Sequence, residues 1–456
     1  MADELYDLII IGGGLAGASL ACALKNAKLM RAEVKGAEQQ RPLKVAVVEA
    51  YALDTDTQPS YDDRTVALSY GSSCIFRNMG SSLNESDDQG LWGLLARYAQ
   101  AIDTIHISDR GHFGVTRLTK EQEGVEALGY VLENRAIGQQ LYAELEHVTR
   151  DDGACITLFC PAKLTGLHQD EHQVSIDISV EGEGGQANRQ IGRQICGKML
   201  VAADGNNSQV MKLLNIGSNR HSYDQVALIT NVTPGKKHNN VAYERFTDSG
   251  PLAFLPMTQN RCSVVWTLSP EQADYLYALD EADFVANLQQ RFGFRLGQIK
   301  KAGSRHIYPL FLQSASQMVY GRVALIGNAA HSVHPVAGQG FNLALRDIAL
   351  LAELLVDHYR EAGDTDAGLT ELETVQILLQ QYAELREQDI KRVYRFTDTL
   401  VKSLSNAFAP LANLRSASLL LVDIIPDIKH RLATQSMGLD MGRGSRLTRL
   451  NRGLRL

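Results

Sequence analysis

The chain has 456 residues, of which 45% are hydrophobic and 21% are charged, and its formal net charge of −7 argues against a nucleic-acid partner. It is too long for one ordinary core, so more than one domain is expected. The six cysteines show no paired CxxC spacing and no run of eighteen apolar residues could cross a membrane, so we predict a cytoplasmic protein with reduced thiols and no metal site.

A glycine-rich turn follows the first predicted strand. Leu8–Ile11 is a short and wholly apolar run, which is typical of a buried parallel strand. The next six residues, GGGLAG, match the GxGxxG pattern of dinucleotide-binding turns. We predict that Gly12 makes the tight turn, that Gly14 lets the backbone approach a pyrophosphate, and that Gly17 lets the next helix pack closely. Ala16 begins that helix, whose N-terminal amides would face the phosphates.

An acidic residue ends the second predicted strand. Glu49 follows the apolar run Val45–Val48, where the pattern places a carboxylate that accepts hydrogen bonds from the adenosine ribose. The spacing from the glycines exceeds the usual twenty or so residues, and we attribute the excess to a polar surface loop at 30–42. A glycine-rich turn without a ligand is the alternative.

The middle of the chain predicts another strand that ends in a turn, followed by a change of pattern. Asp204 can cap the turn after the apolar run Leu200–Ala203, and Gly205 can adopt a positive backbone dihedral. Alternation with a period of two residues begins near Ser218, which predicts an antiparallel sheet as a candidate lid over a cofactor. Two facing strands, joined at 258–261, contain the substrate-wall candidates Phe254, Pro256 and Trp266, for which ordinary core packing is the alternative.

A third glycine-rich stretch follows a buried strand near the end of this region. The strand Val323–Ile326 leads into a turn at Gly327 and Asn328, and Gly338, Gly340 and Asn342 precede a long apolar-periodic helix. The N-terminus of that helix would stabilise the anionic edge of a reduced flavin. Two nucleotide-binding turns more than three hundred residues apart can hold the two ends of one long cofactor, and flavin adenine dinucleotide (FAD) fits that requirement.

These blocks together resemble the class A flavoprotein aromatic hydroxylases, whose marks are GxGxxG, a mid-chain Asp-Gly turn and Gly-Asp-Ala-Ala-His. Within that family the chain is similar to the branch that hydroxylates polyprenylated phenols in ubiquinone biosynthesis. The stretches that carry this similarity are 62–69, 106–112, 244–246, 250–256 and 334–343.

The resemblance implies an α/β fold with a Rossmann-like FAD-binding domain of the p-hydroxybenzoate hydroxylase type. A mostly antiparallel β-sheet substrate domain would be inserted in it, and a helical C-terminal region would follow. We assign 1–78, 125–217 and 306–355 to the FAD-binding domain, 79–124 and 218–305 to the substrate domain, and 356–456 to the C-terminal region.

The resemblance also implies site residues. It places Arg64 and Arg135 near the cofactor, where a guanidinium suits a pyrophosphate or a flavin carbonyl. Asn328 stands where the family usually has Asp, so a charge-assisted bond to the ribityl chain is lost. We interpret His331 as a hydrogen-bonded structural residue rather than a general base. The flavin-ring loop comprises Pro335, Gly338, Gln339, Gly340 and Phe341.

The implied reaction uses NAD(P)H as a transient electron donor and O2 as cosubstrate. A flavin hydroperoxide would then convert 2-polyprenyl-6-methoxyphenol to the 1,4-benzoquinol, and we name no catalytic base. Hydroxylation at another ring position, a flavin reductase or halogenase on the same fold, and a non-catalytic flavoprotein scaffold are the alternatives. A halogenase would usually add a WxWxIP-type motif, which the sequence lacks.

The resemblance implies partners as well, namely other ubiquinone-biosynthesis proteins and further copies of the chain in a homo-oligomer. From Lys429 to Leu456 basic residues alternate with leucines against a single acidic residue, Asp440. Such a tail predicts peripheral contact with the inner membrane, and a solvated tail is the alternative.

Overall fold

Two large sheets organise the chain in the computed structural model. The described residues are 5–25, 28–31, 39–52, 64–80, 89–149, 155–181, 190–332, 339–361, 371–404, 419–439 and 447–456. Pro335 and Gly338 of the predicted flavin-ring loop lie outside these ranges.

The first sheet has, among the described residues, five parallel strands at its centre. Leu5–Ile11 lies between Val45–Val48 and Gln190–Ala202. Ile156–Phe159 extends the parallel arrangement on one side and Val323–Leu325 on the other. Three strands pair antiparallel at its margins, namely Ala162–Gln169, Val174–Glu181 and Val319–Tyr320.

Both faces of this parallel centre are buried, which explains why its strands are apolar without alternation. Ile10 packs in one core cluster with Leu20 and Leu345, whereas Ile9 packs in a second cluster on the opposite face. The helices that contribute to the first cluster include Leu15–Leu24, Asn134–Thr149 and Gln339–Glu361. The predicted Rossmann-like α/β architecture is therefore confirmed.

The second sheet is mostly antiparallel, as the two-residue alternation predicted. Its strands are, in spatial order, His331–Ser332, His306–Ala315, Ser218–Thr233, Arg261–Leu268, Gly250–Met257, Val241–Thr247, Thr104–Asp109 and Val115–Thr119, and Lys301–Ala302 pairs at the side. The predicted facing strands are present, and Phe254 lies opposite Val264 in their register. Helices Pro270–Ala278 and Glu281–Phe292 contribute to a core cluster on one face of this sheet.

The remaining elements connect or cover the two sheets. A three-stranded sheet contains Thr65–Ser69, Gln100–Ile102 and Gly129–Glu133. The other helices are Tyr70–Asn78, Trp92–Leu95, Lys120–Glu123, Gln209–Leu213, Leu372–Leu404 and Pro426–Ser436, and the short 3-10 turns are Ala96–Tyr98, Thr258–Asn260, Gly327–Ala329 and Leu450–Arg452. No helix within the described ranges is long and apolar enough to cross a membrane.

Three expectations need correction. Part of the polar stretch at 30–42 forms a hairpin of Lys28–Arg31 with Gln39–Pro42 rather than a loop alone. His306–Ala315 pairs along Ser218–Ile229, so the segment boundary that we drew at 306 falls one strand too early.

The third correction concerns the end of the basic tail, which is docked on the protein. Leu450 is buried, and the Asn451 side chain donates to the carbonyl oxygen of Gly71 at 3.1 Å. Arg449 forms an ion pair with Asp357 at 2.5 Å. Residues from 448 to 451 are therefore not a solvated tail.

Candidate functional site

A cavity of about 1640 Å³ is lined by residues of both large sheets. Ile11, Val48 and Ala203, which lie at the carboxyl ends of parallel strands, form part of its wall. This is the edge of a parallel sheet where ligands bind in open α/β folds. Ten of the predicted cofactor residues line the same cavity: Gly12, Gly14, Ala16, Glu49, Arg64, Asp204, Asn328, Gly340, Phe341 and Asn342.

The GxGxxG turn needs its glycines because the chain passes very close to itself. Gly12 has a φ of +101°, and a Cβ there would lie 2.6 Å from the carbonyl oxygen of Ala203. A Cβ on Gly17 would collide with the carbonyl oxygen of Gly12. The first glycine therefore fixes the turn, and the last allows the helix to pack onto it.

Glu49 is held against this turn by backbone donors. Its Oε2 accepts from the Gly13 N–H at 2.6 Å, and its Oε1 accepts from the Tyr51 N–H at 2.8 Å. Each carboxylate oxygen keeps a second lone pair for a hydroxyl of a ligand. The carboxylate is thus oriented before any ligand arrives.

Asp204, which lines the cavity, has one oxygen that is hydrogen-bonded and one that is not. Its Oδ2 accepts from the backbone N–H groups of Gln209 at 2.6 Å and Val210 at 3.2 Å, which caps helix Gln209–Leu213. Its Oδ1 is buried and has no hydrogen-bond partner in the part of the chain that the structure describes. Burial raises the pKa of Asp204 above its ordinary value. A buried acceptor without a partner on a cavity wall suits a ligand hydroxyl, such as those of a ribityl chain.

Asp347 is buried beneath the third glycine turn and is bonded to its backbone at Gly327. It is fully buried and accepts from the Gly327 N–H at 2.9 Å, from Nε2 of His331 at 2.6 Å and from Nε of Arg386 at 2.6 Å. Burial alone would raise the pKa of Asp347, but His331 and Arg386 outweigh it and the pKa lies below its usual range. His331 is therefore buried and hydrogen-bonded, and its structural role stays a prediction.

The charge network continues to the cavity through two further residues. Nη1 of Arg346 donates to both carboxylate oxygens of Asp389, at 2.8 and 2.9 Å, and Nη1 of Arg386 donates to the same group at 2.5 Å. Arg346 and Asp389 are buried and belong to the cavity wall. The sequence analysis missed this cluster, although a charged Arg346-Asp347 pair inside an apolar helix was a signal.

Asn342 lies on the wall, but its side chain is engaged within the protein. Its Oδ1 accepts from the Ser69 N–H at 2.8 Å and from the Ser72 hydroxyl at 2.7 Å, and its Nδ2 donates to the Ala67 carbonyl oxygen at 2.8 Å. The amide thereby ties the start of helix Gln339–Glu361 to the strand and helix at 65–78. A contact of Asn342 with the cofactor stays a prediction, and its side chain already has three bonds within the protein.

The comparisons with known proteins agree with this geometry. Residues 95–395 match the family described as FAD binding domain. Ubiquinone hydroxylase UbiL of Rhodospirillum rubrum is 33% identical, with 100% of this chain and 94% of that protein covered. The chain belongs to this family of FAD-dependent aromatic hydroxylases. It is an oxidoreductase of the monooxygenase type, and FAD is its cofactor.

One further relative and one solved structure of the same fold extend the comparison. The 3-demethoxyubiquinol 3-hydroxylase of Escherichia coli is 27% identical, with 96% of this chain and 100% of that protein covered. The p-nitrophenol 4-monooxygenase PnpA of Pseudomonas putida shares the fold with a TM-score of 0.67 at 16% identity, with 96% of this chain and 99% of that chain covered.

The two arginines expected near FAD lie in different positions. Arg64 of the hydroxylase is on the cavity wall, with its guanidinium carbon 5.0 Å from the centre of the Tyr308 ring. Arg135 is the second residue of helix Asn134–Thr149, and only its neighbour Asn134 belongs to the described wall. The contact of Arg135 with the cofactor stays a prediction.

The prediction that Phe254, Pro256 and Trp266 form the substrate wall was wrong, because these residues belong to the face of the sheet that is turned away from the cavity. Phe254 and Trp266 are buried in the core on the far face of the sheet, and the Phe254 ring stacks on Phe292 with centroids 3.8 Å apart. Pro256 shares their parity and is absent from the described wall. Successive residues of a strand face opposite sides, so their neighbours line the cavity instead: Ala253, Leu255, Val265 and Thr267.

Proposed function

We propose that this flavoenzyme hydroxylates the aromatic ring of a polyprenylated phenol in ubiquinone biosynthesis. The substrate is 2-polyprenyl-6-methoxyphenol, and the product is the 1,4-benzoquinol. The observation that carries the proposal is the wall of the antiparallel sheet, where Ile229, Leu255 and Val265 offer apolar surface to a prenylated ring. Two curated relatives whose names refer to ubiquinone and demethoxyubiquinol support the same substrate class.

FAD would lie along the glycine turns in this proposal. Its pyrophosphate approaches the backbone of Gly12 and Gly14 and the helix start at Ala16, which Gly17 brings close to the strand. Glu49 accepts hydrogen bonds from the ribose of the adenosine, because its orientation is already fixed by backbone donors.

The other end of the cofactor would meet the third glycine turn. The free Oδ1 of Asp204 and the amide of Asn328 bond to hydroxyls of the ribityl chain, and Arg64 reaches the flavin. The backbone at Gly340 and Phe341 presents the helix N-terminus to the pyrimidine edge.

The protein's own part in the reaction is positioning and exclusion of water. FAD, once reduced by NAD(P)H, supplies the activation of O2. The apolar strand residues hold the ring and keep bulk water from it, and the charge network behind Gly327 keeps the cofactor turn rigid.

A product assay with the FAD-loaded protein tests the proposal. NAD(P)H oxidation and hydroxylated products are measured by mass spectrometry with 2-polyprenyl-6-methoxyphenol, with the analogue that lacks the methoxy group, and with a demethoxyubiquinol. We expect the methoxyphenol to give the 1,4-benzoquinol with the highest kcat/KM. A higher kcat/KM for either of the other two substrates would mean that the enzyme hydroxylates another ring position. That is the second candidate function, and the name of the Escherichia coli relative favours it. Bound FAD with no turnover of any ring would indicate the scaffold instead.

Contact with the membrane would involve the helical segment from 419 onward rather than the chain end. Leu421, Ile424 and Ile428 are exposed there, and Ile424 keeps 71% of its surface accessible. Leu419 and Val422 of the same segment line the cavity. Exposed apolar side chains beside a cavity for a prenylated substrate support peripheral binding at the inner membrane. Homo-oligomer formation and contact with other ubiquinone-biosynthesis proteins stay predictions.

A further inference from the structure

One carboxylate stands on the otherwise apolar face of the antiparallel sheet. Glu244 lies in strand Val241–Thr247 and lines the cavity together with Ala242 and Phe246 of the same strand. In the register it lies opposite Ala253 on one side and Ile107 on the other. Both of these neighbours are wall residues too, so the carboxylate has no polar cross-strand partner.

The same row of the sheet stays apolar beyond those neighbours. Ala253 is paired with Val265, and Val265 is paired with Ile229, and all three line the cavity. Across the described residues no hydrogen bond or ion pair reaches the Glu244 side chain. A carboxylate without partners among apolar side chains contributes nothing to folding, because its ionised form is poorly solvated there.

The charged groups of the cavity other than Glu244 lie outside the antiparallel sheet, whereas Tyr243 and Tyr308 belong to it. Its described cations are Arg64, Lys163, Arg346 and Arg392, and its other ionisable groups are Glu49, Tyr51, Asp204, Tyr243, Tyr308 and Asp389. The segment from 419 to 436 contributes Leu419, Val422, Leu432, Gln435 and Ser436, which carry no charge. Burial raises the pKa of Glu244 to about 7, and no charged neighbour contributes to the shift.

We propose that Glu244 is the general base that takes the proton of the substrate's phenol hydroxyl. The inference rests on the proposed function, because it requires a phenol in the cavity. The O–H bond of the phenol breaks, its proton passes to a carboxylate oxygen of Glu244, and the electron pair stays on the phenolate oxygen. That oxygen raises the electron density at the ring positions ortho and para to it, where an electrophilic oxygen atom is accepted.

The proton balance closes within one turnover. Bound FAD, once reduced, would supply two electrons to O2, so that the O–O bond breaks, one oxygen atom enters the ring and the other leaves as water. The new C–O bond forms at a ring carbon that carried hydrogen. That carbon loses its proton to solvent when the ring becomes aromatic again. Glu244 returns its own proton to the first ring oxygen, so the carboxylate is ready for the next substrate. A base whose pKa lies near the working pH is best suited to such a transfer.

The test compares Glu244→Gln with the native enzyme and with Glu121→Gln, an exposed glutamate that is not among the wall residues. We expect Glu244→Gln to lower the kcat for hydroxylated product on the order of 100-fold at pH 7.5, the usual contribution of a general base. Reduction of the bound flavin by NAD(P)H in the absence of substrate should be unchanged. The native kcat should rise with pH through about 7, and this rise should be missing in the variant.

Substrates of different acidity separate proton transfer from simple binding. Ring-fluorinated phenols that are already ionised at the assay pH should restore most of the rate of Glu244→Gln. A rise in KM with unchanged kcat and an unchanged pH profile would overturn the assignment, and so would an equal loss with ionised and neutral phenols. Failure of the native enzyme to hydroxylate any phenol would instead reject the proposed function, so the two failures are distinguishable.

Discussion

The two walls of the cavity are built in opposite ways. On the side of the glycine turns, Glu49, Asn342 and Asp347 are each engaged by several hydrogen bonds within the protein. On the side of the antiparallel sheet, the surface is apolar and its one carboxylate, Glu244, has no bonded partner among the described residues. The first wall, called the cofactor wall below, is held in place by these bonds and suits a fixed cofactor. The second, called the substrate wall, offers an apolar surface and one reactive group to a substrate that exchanges.

The largest expected effect tests the rigidity of the cofactor wall. Asp347→Asn removes the charge that pairs with Arg386 and bonds to His331, which leaves a buried cation without one of its counterions. We expect a loss of roughly 3–5 kcal/mol in the free energy of unfolding, measured by urea denaturation. Asp274→Asn, at an exposed position of helix Pro270–Ala278, is the control. A loss below about 1 kcal/mol would show that the network does not hold this wall together.

The second prediction addresses the close approach at the GxGxxG turn. Gly17→Ala would drive a Cβ into the carbonyl oxygen of Gly12, so the helix must move away from the strand. We expect FAD to bind on the order of 100-fold more weakly, which corresponds to about 2.7 kcal/mol. Flavin absorbance per mole of purified protein and a titration with FAD measure the change. Gly192→Ala, where an added Cβ meets no atom within 4 Å, should bind FAD normally.

The third prediction concerns the loss of folding stability that results from ionised Glu244 in the substrate wall. The pKa of Glu244 is raised from 4.5 to about 7, so ionisation destabilises the folded protein as the pH rises from 4.5 through 7. Glu244→Gln removes that cost and should be more stable than the native protein by about 2 kcal/mol above pH 7, after allowance for solvent in the cavity. The difference should vanish near pH 4. Unfolding at pH 8 and at pH 4 checks both values, and a difference independent of pH would contradict the assignment of the shift to Glu244.

The smallest effect distinguishes the two faces of the sheet. Val265→Phe narrows the cavity, and we expect the KM for the prenylated phenol to rise about tenfold with FAD binding unchanged. Phe254→Leu, on the opposite face and against Phe292, should lower thermal stability and leave the KM unchanged. An equal change of the KM in both variants would show that the substrate does not contact the face of the sheet that contains Val265.

The difference between the walls also explains what the sequence could predict. The glycine turns were recognisable because backbone crowding at Gly12 and Gly17 leaves few other residues possible, and the strands on either side follow from hydrophobic pattern. The two facing strands joined at 258–261 were also predicted, and the structure pairs Phe254 with Val264 between them.

What escaped prediction depends on tertiary contacts. Both faces of strand Gly250–Met257 are apolar, so alternation could not tell that Phe254 faces the core and Leu255 faces the cavity. The partners of Asp347 come from residues 16 and 39 positions away, and no local pattern joins them. Strand His306–Ala315 was assigned to the FAD-binding domain, but it pairs within the antiparallel sheet. The sequence of a single strand does not indicate which sheet it will join.

Residues 448–451 are connected through two hydrogen bonds to a helix at the cavity. Asn451 anchors helix Tyr70–Asn78 through Gly71, and Ser72 of that helix bonds to Asn342 near the start of helix Gln339–Glu361. Asn451 therefore supports the start of helix Gln339–Glu361 through helix Tyr70–Asn78. A substitution that removes the Asn451 amide or crowds Leu450 would loosen the start of that helix from a distance, without altering any residue of the cavity wall.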